Sequence, residues 1–244
     1  MYDIHAHILP GVDDGPDSME ASVEMARAAV ENGTHVMLAT PHRKDVTERW
    51  SVGHIVGLVD ELNARARAER LDFRLLLGME NHLDTALPAE ISAGRALPMN
   101  GSRYILVEMP FFGRPEFIDS CLAQVMDLGL VPVLAHPERI EAFQRDIGLL
   151  KEFVGLGMVS QITAGSLLGR WGDEVKGFTS ELLKMGLAHV IASDTHTPGE
   201  PRPPGLAAGA EAAARVVGTA KAQAMVASTP RRILEDLPVK WPQE

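Results

Sequence analysis

Short apolar runs alternate along the chain with longer segments that favour helices. The apolar runs cover residues 2–6, 35–39, 73–77, 104–107, 131–135, 158–162 and 189–192. The helical segments lie at residues 17–33, 54–70, 115–128, 146–156 and 180–185. Strands that alternate with helices predict βαβ units and a parallel sheet, so the predicted fold class is α/β. Seven such strands favour a barrel over an open sheet.

Local signals support these boundaries and a single domain. Ser18 can cap the first predicted helix, and Gly129, Gly157 and Gly186 stand where helices would end. The alanine-rich run 207–214 predicts a surface helix, and the proline-rich run 198–204 an ordered loop. The length of 244 residues suits one α/β barrel, so we expect a single domain over residues 1–244.

Composition and charge narrow the functions that the chain can have. Hydrophobic residues make up 45% of the sequence, which is ordinary for a globular protein, and the net charge of −10 argues against nucleic acid as the main partner. No run approaches the roughly 18 apolar residues that cross a membrane, and the first residues lack the pattern of a signal peptide. Because Cys121 is the only cysteine, an internal disulfide is excluded and we expect a cytoplasmic protein.

Side chains that can bind metal follow six of the seven predicted strands. They are His5, His7, His42, Glu80, Glu108, His136, Asp194 and His196. In an α/β barrel the carboxyl ends of the strands form the face that carries the active site. A buried carboxylate there needs a metal ion or a salt bridge to arginine. Because six strand ends share the pattern, the sequence predicts a metal centre of histidines and carboxylates.

Two spacings and one turn strengthen this prediction. His5 and His7 are two residues apart on a strand, so their imidazoles point to the same face, and Asp194 and His196 repeat that spacing. Asp14 follows the first strand in an Asp-Gly turn, close to the first histidine pair. It is a further candidate ligand, with a plain turn as the alternative.

The remaining histidines fall elsewhere in the pattern. His35 and His189 open strands at the end away from the predicted site, which favours structural roles. His54 lies in a helical segment and is expected at the surface. His82 is two residues from Glu80, and a role beside the site stays open.

Three arginines follow the predicted strand ends and are candidates for phosphate binding. They are Arg43, Arg139 and Arg202, and a surface salt bridge is the alternative for each. The planar guanidinium group matches phosphate oxygens in a bidentate manner. A cysteine-based tyrosine phosphatase is excluded, because such an enzyme needs arginine six residues after its cysteine and Asp127 stands six residues after Cys121.

Six motifs occur in an order that resembles a known superfamily. They are His5-Ala6-His7, Asp13-Asp14-Gly15-Pro16, Thr40-Pro41-His42, Gly78-Met79-Glu80, His136-Pro137-Glu138-Arg139 and Ser193-Asp194-Thr195-His196. The chain resembles the polymerase-and-histidinol-phosphatase (PHP) superfamily. Within it, the chain is most similar to the bacterial manganese-dependent protein-tyrosine phosphatases of capsule and exopolysaccharide operons. The resemblance runs from Met1 to about Asp236.

The resemblance implies a distorted seven-stranded (β/α)7 barrel of the TIM-like PHP fold, with three divalent metal ions. Manganese is expected, with iron, zinc or magnesium as alternatives. The first ion would be held by His5, His7, Glu80 and Asp194, the second by Glu80, Glu108 and His136, and the third by Asp14, His42 and His196. Arg139 and Arg202 would bind phosphate, and Asp194 is counted with them among the catalytic residues.

The resemblance also implies a metal-dependent phosphomonoester hydrolase, a protein-tyrosine phosphatase that acts in exopolysaccharide or capsule regulation. We expect a hydroxide that bridges two metal ions to attack phosphorus in line, without a covalent phosphoenzyme. The substrate would be a phosphotyrosine protein, with a bacterial tyrosine kinase as candidate partner. Nucleic acid and membrane insertion are not expected, and the oligomeric state stays open.

Other functions stay open. One is a phosphatase of small molecules such as histidinol phosphate, or a phosphodiesterase of the same fold. Another is a non-catalytic regulatory component that binds metal, although the presence of all nine candidate ligands argues against it. A third is an amide or lactone hydrolase, against which the arginines favour phosphate. Loops 44–52 and 110–115 border the substrate in the family, and their sequences leave the phosphoprotein unidentified.

Overall fold

The computed structural model of the chain describes residues 1–239, and these form eight strands in two parallel sheets. The strands are β1 (Tyr2–Ala6), β2 (Val36–Ala39), β3 (Arg74–Leu77), β4 (Asn81–His82), β5 (Tyr104–Glu108), β6 (Val131–Ala135), β7 (Val159–Thr163) and β8 (Val190–Ala192). One sheet has the order β1-β2-β3 and the other has the order β4-β5-β6-β7-β8. Within each sheet every strand therefore pairs with the next strand along the chain.

Twelve α-helices lie between and after these strands in the described residues. They are α1 (Met19–Glu31), α2 (Arg43–Arg49), α3 (Val52–Ala68), α4 (Leu87–Ser92), α5 (Phe117–Asp127), α6 (Glu141–Arg145), α7 (Ile147–Gly155), α8 (Ala164–Leu167), α9 (Asp173–Lys184), α10 (Leu206–Val217), α11 (Thr219–Val226) and α12 (Ser228–Leu234). Short 3-10 turns occur at Met99–Gly101 and Pro137–Arg139. No helix of residues 1–239 has both the length and the apolar composition that a membrane span requires.

The predicted elements appear close to their predicted bounds. All seven predicted strands are present, and the helices predicted at 17–33, 54–70, 115–128, 146–156 and 207–214 correspond to α1, α3, α5, α7 and α10. The side chain of Ser18 accepts a hydrogen bond from the Ala21 amide at 3.2 Å and caps α1, as its position indicated. The segment 180–185 is only the second half of α9, which begins earlier, at Asp173. Residues 240–244 of the predicted domain lie outside the described residues.

One strand, β4, was not predicted from the sequence. With it the described residues form eight strands in two sheets, whereas the sequence predicted a single barrel of seven strands. The chain bends after β3, so β3 pairs with β2 while β4 pairs with β5. The Asn81 side chain donates to the carbonyl oxygens of Met79 and Leu106 at 2.9 and 3.0 Å and holds this bend. Because β4 contains two polar residues, no apolar run marks it.

Backbone hydrogen bonds join the two sheets at the carboxyl ends of their strands. The His7 amide donates to the Thr195 carbonyl oxygen, and the Asp194 amide donates to the His5 carbonyl oxygen, both at 2.9 Å. At the other junction, the Arg43 amide donates to the Glu80 carbonyl oxygen at 2.9 Å. These are the strand ends that carry the predicted metal ligands.

Candidate metal centre

The structure brings all nine predicted ligands together at the carboxyl ends of the strands. Seven of these residues are buried, with less than one tenth of each residue exposed: His5, His7, Glu80, Glu108, His136, Asp194 and His196. Asp14 and His42 form the solvent side of the group, and their side chains are 59% and 29% exposed. The site therefore has a closed floor and one open side.

The deepest part of the site lies where the first strand meets Glu80 and Asp194. The Nε2 atom of His5 is 3.2 Å from Oε1 of Glu80 and 3.5 Å from Oδ1 of Asp194. The Nε2 atom of His7 is 3.3 Å from the other oxygen of Glu80 and 3.3 Å from Nε2 of His5. Two imidazole nitrogens and two carboxylates thus converge on one small volume.

Glu80 also belongs to a second group of potential ligands. Its Oε1 atom is 3.1 Å from Nε2 of His136, which lies 3.5 Å from Oε1 of Glu108. Its Oε2 atom is 3.1 Å from Nδ1 of His42. His82, whose role was open, contacts Glu108 with its Nδ1 atom 3.3 Å from Oε2. Glu80 is therefore in position to bridge two cations.

The outer group surrounds Asp14. Its Oδ1 atom is 3.1 Å from Nε2 of His196 and 3.6 Å from Nε2 of His42. His7 is the neighbour that links this group to the floor, with its Nδ1 atom 3.8 Å from the same oxygen. Three overlapping sets with metal-ligand spacing result, namely His5, His7 and Glu80; His42, Glu80 and Glu108; and His7, Asp14, His42 and His196.

The electrostatics of the site fit divalent cations. Burial disfavours the charged form of Glu80, yet the surrounding histidines, His5 first, hold its pKa well below the usual value. Burial likewise opposes a charged His7, but Asp13 and Glu80 raise its pKa to about 10. The ionised carboxylates of the site are thus stabilised by positive charge placed between them. Protonated imidazoles repel each other at the 3.3 Å that separates the Nε2 atoms of His5 and His7, whereas neutral imidazoles and carboxylates together are suitable ligands for a transition metal.

Two residues outside the predicted set orient the histidines. Oδ2 of Asp13 accepts from Nδ1 of His7 at 2.7 Å, and Oε1 of Gln161 accepts from Nδ1 of His5 at 2.8 Å. In the neutral ring, each bond places the proton on Nδ1 and leaves the Nε2 lone pair facing the site, as partners of metal-binding histidines do. A signal for Gln161 was present in the sequence, because it is a polar residue that interrupts the apolar run of β7.

The backbone is unusual at two of the site residues. His136 follows β6 directly and Asp194 comes two residues after the end of β8, and both have positive φ angles, 34° and 53°. Non-glycine residues rarely adopt this left-handed region, and such strained backbone is enriched at functional sites. Here it turns each side chain from the strand end toward Glu80 and His5, which they contact.

Two of the three candidate arginines face the ligand cluster. Nη1 of Arg139 is 3.1 Å from Oδ2 of Asp194, and Nη2 of Arg202 is 2.7 Å from the same oxygen. Burial opposes the charge of Asp194, but His5 and Arg202 hold its pKa at about 2. Arg43, the third candidate for phosphate binding, instead forms a salt bridge. Its side chain is only 4% exposed and pairs with Asp84 at 2.7 Å.

The histidines expected elsewhere lie outside the centre. His35 contacts Asp72 near the surface, and His54 is exposed and stacks on Trp50 with 4.5 Å between ring centroids. His189 is buried at the start of β8, where Nδ1 accepts from the Ser160 amide at 2.9 Å. Burial lowers the pKa of His189 to about 4, so its ring is neutral at neutral pH.

Comparison with solved structures identifies the fold. The crystal structures of YwqE from Bacillus subtilis and CpsB from Streptococcus pneumoniae, described as unique metal-dependent tyrosine phosphatases, include a match with a TM-score of 0.89, 30% identity and 100% coverage of both chains. A β-aspartyl dipeptidase from Fervidobacterium islandicum AW-1 matches with a TM-score of 0.55 at 11% identity over 100% of this chain and 78% of its own, which shows a shared α/β fold alone.

Sequence comparison confirms the resemblance to the phosphatases of capsule operons. The tyrosine-protein phosphatase YwqE of Bacillus subtilis (strain 168) is 36% identical over 196 residues, which cover 80% of this chain and 77% of YwqE. The family described as "Capsular polysaccharide synthesis, CpsB/CapC" matches residues 1–235, so that nearly the whole chain is covered. The chain therefore belongs to the CpsB/CapC family.

Proposed function

We propose that the protein is a metal-dependent tyrosine phosphatase that hydrolyses phosphotyrosine in proteins of capsule or exopolysaccharide synthesis. One observation carries this proposal. Arg139 and Arg202 both contact the carboxylate of Asp194, which also contacts His5 in the candidate metal cluster. The positively charged guanidinium groups, which can bind phosphate, thus lie beside side chains that can bind metal ions. The family and the relatives named tyrosine-protein phosphatases support the same activity.

The ligand sets that we propose follow the contacts of the site. The first ion would be held by His5, His7, Glu80 and Asp194, the second by Glu80, Glu108 and His136, and the third by Asp14, His42 and His196. Three carboxylates besides Glu80 make manganese a suitable ion. When bound, such ions activate water as a nucleophile at neutral pH and offset charge on the phosphoryl oxygens.

The arginines bind and orient the phosphoryl group. Each guanidinium group can donate two parallel hydrogen bonds to phosphate oxygens, and Asp194 already fixes both groups beside the cluster. Preorganised donors of this kind stabilise the charge that develops in the transition state. The leaving group is a phenolate whose conjugate acid has a pKa of about 10, so it needs less help from a general acid than an alkoxide does.

Three further features complete the proposal. We propose that the two sheets act as one closed, distorted barrel with seven strand positions, in which β3 and β4 share one position. We place the enzyme in the cytoplasm, which suits the single free Cys121. A bacterial tyrosine kinase is the partner whose phosphotyrosine it would remove.

The first experiment compares three substrates on the manganese-loaded protein. They are a phosphotyrosine peptide, histidinol phosphate and bis-p-nitrophenyl phosphate, each with and without a chelator. We expect the peptide to be hydrolysed fastest and the activity to disappear on chelation. Preference for either other substrate would contradict the substrate assignment but not the site. Bound metal without hydrolysis of any of the three would contradict the phosphatase proposal.

A further inference from the structure

A row of ring contacts connects the candidate metal cluster to both arginines. The ring of Phe111 stacks on His136, with 5.3 Å between centroids and 10° between planes. The guanidinium carbon of Arg139 lies 4.9 Å from the Phe111 ring and 4.2 Å from the Trp171 ring. That of Arg202 lies 5.8 Å from the Trp171 ring. Trp171 is therefore the one indole that meets both arginines in the described part of the chain.

Trp171 packs beside Arg202, whose Nη1 atom lies 3.8 Å from Oδ2 of Asp14 on the open side of the site, rather than in the core. Trp171 stands in the turn between α8 and α9, between Gly169 and Gly172, whose φ angles of 83° and 91° suit glycine. The indole is 37% exposed although large apolar side chains are usually buried. It borders a small cavity together with Asp194 and Arg202. Packing of the core does not account for this exposure.

We propose that Trp171 is a specificity-determining residue, whose exposed indole surface contacts the aromatic ring of the substrate and favours aryl over alkyl phosphomonoesters. The proposal rests on the phosphatase function given above. It adds that selection for tyrosine resides in this side chain, which no sequence motif marked.

The geometry of the site leaves one direction in which the substituent of a bound phosphate can point. The phosphoryl oxygens face Arg139, Arg202 and the ligand cluster, whose floor residues are less than one tenth exposed. The ester oxygen and its substituent must then point to the open side, where Trp171 lies. A phenyl ring attached there can pack on the indole and bury apolar surface. The short side chain of phosphoserine has no ring to cover it.

Unreactive ligands separate this contact from the chemistry of the leaving group. Phenylphosphonate and methylphosphonate carry the same charged group and differ in the ring, so the ratio of their dissociation constants reports the ring contact. Calorimetric titration of the manganese-loaded full-length protein gives both constants without turnover. Leu128 provides a control of similar exposure, because it is 45% exposed and lies at the end of α5, before β6 and away from the strand ends that carry the site.

We expect wild-type protein to bind phenylphosphonate about tenfold more tightly than methylphosphonate, which corresponds to about 1.4 kcal/mol. In Trp171→Ala this preference should fall to about twofold or less, while methylphosphonate binding changes little. Leu128→Ala should keep the wild-type ratio. If Trp171→Ala does not fold, Trp171→Phe should keep the preference and Trp171→Leu should lose it.

Two results would overturn the proposal. An unchanged ratio in Trp171→Ala would show that the ring does not contact the indole. An equal loss for both ligands would make Trp171 only a positioning residue for the arginines. Hydrolysis of a phosphotyrosine peptide is measured on the same wild-type preparation. Its absence would contradict the proposed function itself, whereas an unchanged ratio in an active enzyme would contradict only the role of Trp171.

Discussion

The two sheets supply different chemistry to one site. The three-stranded sheet and the segments that follow its strands bring the candidate ligands His5, His7, Asp14 and His42. The five-stranded sheet brings Glu108, His136, Asp194 and His196, and the segments after its strands also carry Arg139 and Arg202. Glu80 lies between the sheets and contacts histidines from both. The candidate metal ligands are thus shared evenly between the sheets, whereas the two arginines that face them come from one side.

The difference arises from where each arginine finds its partner. Arg43 follows the three-stranded sheet, but Asp84 takes its guanidinium group away from the site. Arg139 and Arg202 find their carboxylate in Asp194, inside the ligand cluster. Substitution of the candidate ligands on the first side, the three-stranded sheet, should therefore lower the metal content. Substitution of the arginines on the second side, the five-stranded sheet, should lower the affinity for phosphate.

The largest effect is expected at Glu80, because it joins the two sides. Glu80→Gln keeps the size of the side chain but removes the charge that its histidines surround. We expect metal content to fall and phosphotyrosine hydrolysis to drop about a thousandfold, since bound ions contribute several kcal/mol to catalysis. Metal analysis and steady-state kinetics measure both.

Glu152→Gln is the matched control, because Glu152 is exposed on α7. It should keep the metal content and the turnover of the wild type. Normal turnover in Glu80→Gln would contradict the shared cluster. Normal metal content with lost turnover would show that Glu80 acts on the substrate and not as a ligand.

Arg202 and Arg43 test whether the two sides divide their roles as the contacts indicate. Arg202→Lys keeps the charge but loses the planar donor pair. We expect kcat/KM to fall about a hundredfold with the metals retained, which is the size of effect seen when one donor to a developing anion is removed. The affinity for inorganic phosphate should fall as well.

Arg43→Ala should lower stability and leave the affinity for phosphate nearly unchanged. It leaves the partly buried Asp84 without its main partner, so the free energy of unfolding should decrease by about 1–2 kcal/mol. The affinity for phosphate should stay within about threefold of the wild type. Urea denaturation and phosphate inhibition measure the two quantities. A larger loss of phosphate affinity in Arg43→Ala than in Arg202→Lys would reverse the comparison.

Substitution of Glu138 should have a smaller effect, because Glu138 acts on the second side of the site only through the position of Arg139. It is fully buried beside Arg139, and its Oε1 atom accepts from the Thr163 amide at 2.8 Å and from the Ser166 hydroxyl at 2.7 Å. These bonds anchor the turn that carries Arg139 to the end of β7. Glu138→Gln should perturb them, because an amide group has only one acceptor oxygen and its NH2 group cannot accept from either donor.

We expect this substitution to lower kcat/KM about tenfold and stability by about 1–2 kcal/mol, with metal content unchanged. Ser166→Ala, which removes one of the donors, should show the same pattern more weakly. Unchanged phosphate affinity in Glu138→Gln would contradict a positioning role and leave only a structural one.

The sequence predicted the strand ends of both sheets better than the side-chain contacts around them. A ligand at a strand end needs only the strand and its register, and apolar runs marked β1, β2 and β6 well. The bend before β4 escaped because it depends on hydrogen bonds of the Asn81 side chain. Likewise, the roles of Arg43 and Trp171 depend on which side chains pack against them in three dimensions, and no local pattern records that.

The smallest effect is expected at Cys121, which tests the division between metal chemistry and thiol chemistry. Burial raises the pKa of Cys121 to about 11, so the thiol is protonated at neutral pH and is a poor nucleophile. Its Sγ atom donates to the Asp84 carbonyl oxygen at 3.1 Å, a bond that a serine hydroxyl can replace. Cys121→Ser should therefore keep kcat/KM within about twofold and change stability by about 1 kcal/mol or less. Iodoacetamide should likewise leave the folded wild type active, and a loss of activity in both experiments would contradict a metal-based mechanism.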